Sequence, residues 1–286
     1  MRGILPMLLA LALVACACGR QAPPPRQFEL VGQILEVRPA TTEVVIKHQD
    51  IKNFMPGMTM PFKVSDPRLL DGMQAGDLVT ATLVVEEVKA YLSTLTRTGH
   101  ADLPAAAPPP AQPDVLEPGA PVKESRLIDQ DGTARAFSSW RGHRVALTFM
   151  YTRCPLPDFC PMMDRYFAAV QKTLARRREL ADVRLISVTL DPDYDTPPVL
   201  REHSRVLGAD PKVWTFATAE PAEARAFGEQ FGIFVERNPD SPIELTHNLR
   251  TAVIDADGRL VRAYTGTHWT PDELVADLAA TAPPVH

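Results

Sequence analysis

Cysteine is scarce in this chain of 286 residues. It has four, and two of them, Cys16 and Cys18, lie in the opening stretch MRGILPMLLALALVACACGR. Only Cys154 and Cys160 are left for the body of the protein. A single bridge across so short a loop would stabilise a chain of this size little, because the entropic gain grows with loop length. Basic clusters are missing too. No Lys/Arg run exceeds residues 176–178 and the net charge is -5, so a nucleic-acid partner has no electrostatic footprint and that class is set aside. The chain also lacks a long hydrophobic run at its start. Residues 4–15 are apolar but too few to span a bilayer, and they read as a secretion signal.

At the end of that run, Leu13-Val14-Ala15-Cys16 resembles the bacterial lipobox, in which the cysteine is lipidated and becomes the first mature residue. The resemblance implies a lipid anchor at Cys16, and residues 1–25 are read as signal and tether. An ordinary cleaved signal is the plainer alternative. Cys18 is left without a role.

With 45% hydrophobic and 23% charged residues, the remainder is globular and long enough for two domains. Residues 98–121, TGHADLPAAAPPPAQPDVLEPGAP, are rich in Pro and Ala and poor in bulky apolar side chains, so an extended linker is expected there. Before it, residues 26–97 alternate apolar and polar positions, as in QFELVGQILEVRPATTEVVIKHQ and GDLVTATLVVEE. Four or five strands without a periodic helix predict a small, closed or nearly closed β-barrel. After it, in residues 122–286, RVALTFMY and VRLISVTL are continuous apolar runs typical of strands buried on both faces, and MMDRYFAAVQKTLARRREL between them has helical periodicity. Helices near 197–207 and 221–230, strands at VWTFAT, RTAVIDADG and RLVRAYTG, and a helix from Pro271 complete an α/β order of thioredoxin-like type.

Two clusters carry chemistry. In KHQDIKNFMPGMTMPFKV, His48, Met55, Met58 and Met60 stand close together, and Met58 and Met60 point the same way from a strand. Thioethers are soft ligands that prefer cuprous copper, and imidazole also binds copper. The methionines are otherwise core filler. At these residues the segment resembles the CusF-like periplasmic copper-binding domains, an OB-type β-barrel family. The resemblance implies His48, Met58 and Met60 as cuprous ligands, with Met55, where some members have tryptophan, as a fourth ligand or a lid.

The second cluster is FMYTRCPLPDFCPMM, followed by LISVTLDPDYDTPPVL and, far downstream, LTHNLRTAVIDADGRLVRAY. Taken alone, the spacing of Cys154 and Cys160 leaves redox switch, metal clamp and structural disulfide all open. Pro161 suits a first helical turn, which puts the Cys160 sulfur at a helix N-terminus where thiolate is favoured. Asp191 and Asp195 are expected to fix a nearby loop, since carboxylate oxygen suits cuprous ion poorly. In this order the three stretches resemble the Sco/SenC family of copper-delivery proteins. The resemblance implies a thioredoxin-like fold and a site of Cys154, Cys160 and His247 holding copper(I) or copper(II). It departs from the family in having five residues between the cysteines, Pro155 to Phe159, where three are usual. His100, His143, His203, His268 and His286 are read as solvated or structural.

The resulting expectation is a lipid-anchored, periplasm-facing copper chaperone of the bacterial cell envelope. Its expected client is the copper-bearing subunit of a cytochrome c oxidase or another periplasmic copper protein. The rival readings are a thiol-disulfide reductase using Cys154 and Cys160 as its redox-active pair, and a copper-tolerance protein that sequesters metal.

Overall fold

The structure, a computed structural model, describes residues 23–55, 57–103, 115–237 and 245–281. Cys16, Cys18 and His286 lie outside the described residues. The first unit consists of β1 (Arg26–Arg38), β2 (Glu43–His48), β3 (Thr59–Lys63), β4 (Asp77–Val85) and β5 (Ala90–His100). They form one antiparallel sheet in the order β3-β2-β1-β4-β5. Of the two expected forms, closed and nearly closed, the sheet takes the nearly closed one. Its edges meet where Val64 bridges Leu92, just past β3, and the Ser65 amide donates to the Leu92 carbonyl at 2.9 Å. Two ladder irregularities in the β4–β5 pair supply the curl that brings the edges round. Inside the curl, Leu30, Ile34, Val44, Ile46, Val79, Leu83 and Leu92 are wholly buried. They are the alternate positions of each strand, as a half-buried sheet requires.

The second unit has β6 (Arg126–Asp129), β7 (Ala134–Ala136), β8 (Val145–Met150), α1 (Cys160–Leu174), β9 (Arg184–Thr189), α2 (Pro197–Leu207), β10 (Trp214–Thr218), α3 (Pro221–Glu229), β11 (Val235–Arg237), β12 (Leu245–His247), β13 (Arg250–Ile254), β14 (Leu260–Thr265) and α4 (Pro271–Ala280). Seven of these strands make one sheet, β14-β13-β8-β9-β10-β6-β7, and β11 pairs with β12 apart from it. β8, β9 and β10 run parallel, while β13 pairs antiparallel to β8. Every residue of β8 is buried, which explains its unbroken apolar run. Helices cover both faces. Phe149 of β8 meets Phe227 of α3, while on the other face Phe167 of α1 meets Trp214 of β10.

Backbone pairing holds the chain at both ends of the expected linker. β5 continues through His100, whose Nδ1 lies 3.0 Å from the buried Asp77 carboxylate. At the other end, the Leu116 amide donates to the Gln230 carbonyl at 2.8 Å, and Pro121 bridges Arg259. Backbone hydrogen bonding therefore fixes residues whose side chains alone suggest a spacer.

Candidate metal sites

In the first unit, β2 and β3 carry the His/Met cluster. Along β2 the inward positions are Val44, Ile46 and His48. The ladder sets Met60 opposite Ile46, and the His48 amide donates to the Met58 carbonyl at 2.9 Å. Met58 and Met60 therefore lie on the face that His48 occupies. His48 is 3% exposed. Its Nδ1–H donates to the Gln49 carbonyl at 2.7 Å, which fixes the tautomer with the lone pair on Nε2. That Nε2 is buried and has no hydrogen-bond partner among the described residues. Burial holds the ring's pKa below the ordinary value, so the lone pair stays unprotonated. An orphaned imidazole nitrogen on the face that also carries Met58 and Met60 fits a soft cation and suits no hard one. Met55 is buried in the same core, paired to Ile51 through the backbone.

Two glycines shape this site, and the composition gave no sign of either. A Cβ at Gly32 would lie 2.6 Å from the Lys47 carbonyl oxygen and 2.8 Å from His48 Cα. A Cβ at Gly57 would lie 2.9 Å from the His48 carbonyl oxygen, and the Gly57 amide donates to Asp50 at 2.7 Å. Close backbone packing around His48 needs both positions bare.

In the second unit, β8 ends at Met150 and the chain turns through residues 151–159 into α1, which starts at Cys160 with Pro161 in its first turn. Because β13 runs antiparallel to β8 with Thr251 opposite Thr148, the residues before β13 run alongside the cysteine loop. His247 arrives there. Its Nε2 is 3.7 Å from Cys160 Sγ, and its Nδ1–H donates to the Asn248 carbonyl at 2.9 Å. The ring meets Tyr151 edge-on at 5.6 Å. Burial drives the His247 pKa down to about 4. Both candidate histidines thus have their Nδ1 proton fixed by the next residue's carbonyl, and while the Nε2 of His247 meets the Cys160 sulfur, that of His48 is left without a partner among the described residues.

The two sulfurs divide unequally. Both cysteines are free, Cys160 buried and Cys154 half-buried. Burial pushes the Cys160 thiol well up, while a hydrogen bond from Cys160 pulls Cys154 down. The expectation that the helix N-terminus makes Cys160 the thiolate is therefore corrected. Desolvation outweighs the dipole, and Cys154 is the more acidic of the two sulfurs. Among the described residues no three His, Cys, Asp or Glu side chains are already drawn together as a metal cage. Cys160 touches His247, and Cys154 sits beside it, directed at the Leu156 carbonyl at 3.8 Å.

The DPDYDTP carboxylates grip the start of the loop. Asp195 accepts hydrogen bonds from the Thr152 amide, the Thr152 hydroxyl and the Thr189 hydroxyl. Asp191 pairs with Arg153, whose guanidinium stacks over Tyr194 at 3.8 Å. The other described histidines pair with framework groups. His143 bonds the Asp182 carbonyl and His203 bonds Asp164, each at 2.9 Å, and His268 lies 3.8 Å from Glu43 of the first unit.

An α/β fold of thioredoxin type with a soft Cys/Cys/His cluster at its active turn, joined to a β-sheet unit with a His/Met cluster, defines a class of copper-handling proteins. The SCO1/SenC family pattern matches residues 116–282, more than half the chain, and the chain belongs to that family. The pattern of the copper-binding periplasmic protein CusF matches residues 27–97. A SCO1 protein homologue of Bacillus subtilis is 26% identical over 163 residues, covering 56% of this chain and 82% of its own. Two solved structures share the fold of the second unit. BsSco, a member of the Sco family of cytochrome c oxidase assembly proteins, aligns with TM-score 0.51 and 23% identity over 60% of this chain and 99% of its own. Arabidopsis thaliana ScoI, solved with copper bound, aligns with TM-score 0.50 and 22% identity over 57% and 98%.

Proposed function

We propose that this chain is a copper chaperone of the bacterial cell envelope. It takes cuprous ion as cargo and delivers copper to the copper-bearing subunit of a cytochrome c oxidase, or to another periplasmic copper protein. The observation that carries this reading is the 3.7 Å contact between Cys160 Sγ and His247 Nε2. An imidazole held unprotonated against the Cys160 sulfur, with the Cys154 sulfur next to Cys160, is a donor set for copper(I) or copper(II), and a poor one for oxygen-seeking cations. His48, Met58 and Met60, with Met55 as further ligand or lid, form a second site for copper(I). Cys16 is proposed to carry the lipid that tethers the chain to a membrane, so Cys16→Ser should move it from the membrane to the soluble fraction.

The test is to titrate copper(II) into the reduced chain. Sulfur-to-copper charge-transfer absorption is expected at one equivalent, abolished by Cys154→Ser or Cys160→Ser and weakened by His247→Ala. A chain that never develops the band is not a chaperone of this kind.

The difference in acidity between the cysteines favours one other reading. A half-buried, more acidic thiol beside a buried, less acidic one is the arrangement of a disulfide reductase. Cys154 would attack a client disulfide, and Cys160, losing its proton, would displace the reduced client and leave a Cys154–Cys160 disulfide for an external thiol to reduce. In that reading no metal is held.

A further inference from the structure

The five residues between the cysteines belong by sequence to the second unit but pack into the first. Leu156 is 6% exposed and joins the hydrophobic core of the first unit. Cys154 and Phe159 lie against both cores. The Asp158 carboxylate accepts the amide hydrogen of Ala90, the first residue of β5, at 2.8 Å. Arg165 of α1 clamps the same corner, donating to the Pro157 carbonyl at 3.0 Å and to the Val88 carbonyl in the β4–β5 turn at 3.3 Å. An apolar plug ringed by hydrogen bonds to the partner's backbone is a docking contact.

What the contact encloses gives it a function. A cavity of about 330 Å³ runs between the units, lined mainly by apolar surface. Met60 and Phe62 form part of its wall from the first unit, and Leu156, Phe159 and His247 from the second. One candidate ligand of each metal site therefore opens onto the same space.

We propose that the 155–159 loop docks the two units so that cuprous ion passes directly from the His48/Met58/Met60 cluster to the Cys154/Cys160/His247 cluster across this cavity. The proposal rests on the copper reading of both sites. The transfer is a ligand exchange with copper remaining copper(I): bonds to the Met58 and Met60 thioethers and to His48 break as bonds to the Cys154 thiolate, His247 and Cys160 form. The Cys160 thiol gives up its proton to solvent. The direction runs from neutral thioether to anionic thiolate, the stronger donor. Holding donor and acceptor together makes the second binding event intramolecular, with a high effective concentration.

The test measures how fast the second site of the reduced full chain acquires copper(I), supplied from a competing cuprous chelator and followed by thiolate-to-copper absorption. Six proteins are compared: the native chain, Leu156→Ser and Asp158→Ala, each with and without Met58→Leu/Met60→Leu. In the native background, loss of the thioethers should slow loading of the second site about tenfold or more. In the Leu156→Ser background the same loss should have no effect. Asp158→Ala should behave as Leu156→Ser, and both should still bind two copper ions per chain, which shows that each unit is folded. Equal loading rates with and without the thioethers in the native background would overturn the relay and leave two copper sites standing. A native chain that binds no copper(I) would overturn the relay together with the reading beneath it.

Discussion

Gly32 and His48 face one another across the β1–β2 ladder so closely that a methyl group at 32 would collide with the backbone of Lys47 and His48. The inner wall of the first cluster is therefore set by a missing side chain. Gly32→Val is expected to destabilise the chain by about 1–3 kcal/mol, as overpacking of a close contact does, and to weaken copper(I) binding at His48, Met58 and Met60. Gly99→Ala is the control, since a Cβ there meets only Leu78 at ordinary distance and should cost less than about 0.5 kcal/mol. Urea denaturation and a cuprous competition assay on both variants check this. Matching behaviour would remove Gly32 from the account of the site.

Asp195 shapes the cysteine loop without touching sulfur. Its carboxylate is wholly buried and takes three hydrogen bonds, two of them from Thr152. Asp195→Ala should cost about 1–3 kcal/mol through the donors it strands. It should also lower copper affinity at the second site while leaving the first unchanged. A variant that loses stability but keeps full affinity would show that the loop needs no such anchor.

Reactivity should separate the two sulfurs. Because Cys154 is the more acidic and more accessible, iodoacetamide at neutral pH should label it well before Cys160, as peptide mass mapping over time would record. Faster labelling of Cys160 would contradict this order of acidity. Copper binding must also release at least the Cys160 proton, so affinity at the second site should rise about tenfold per pH unit near neutrality.

Acid should weaken the metal-free fold through His247. Its folded pKa of about 4 lies below the ordinary 6.5, so between those values the unfolded chain takes up a proton that the folded chain refuses. The stability contribution is complete above about pH 6.5 and is lost as pH falls toward 4, a difference of roughly 3 kcal/mol. His247→Leu should lack this part of the loss. Denaturation midpoints of the two proteins at pH 7 and pH 4.5 measure it, and parallel curves would show that the ring is not sequestered.

Much of this was legible in the sequence because the signals were local. The apolar runs that became β8 and β9, and the helices from Pro197, Pro221 and Pro271, follow from periodicity and proline placement. The nearness of His247 to Cys160 was legible through the resemblance of motif order. What stayed hidden depended on tertiary contact. Leu156 sits in a proline-rich loop, and nothing within PLPDF says that its apolar side chain enters the other unit's core. Gly32 is one glycine among fifteen until β2 is laid against it. The dipole argument for a Cys160 thiolate failed because burial of that sulfur comes from the whole assembled domain.

The central claim is that this chain holds copper at two chemically distinct soft sites. X-ray absorption of the reduced full chain carrying one and then two equivalents of copper(I), with disulfide reductase turnover measured on the same preparation, tests it most directly. The account predicts two ions per chain. One should have cysteine sulfur and imidazole neighbours, lost in Cys160→Ser, and the other thioether sulfur and imidazole neighbours, lost in Met58→Leu/Met60→Leu. A reduced chain that takes up no copper yet turns over disulfides would contradict it.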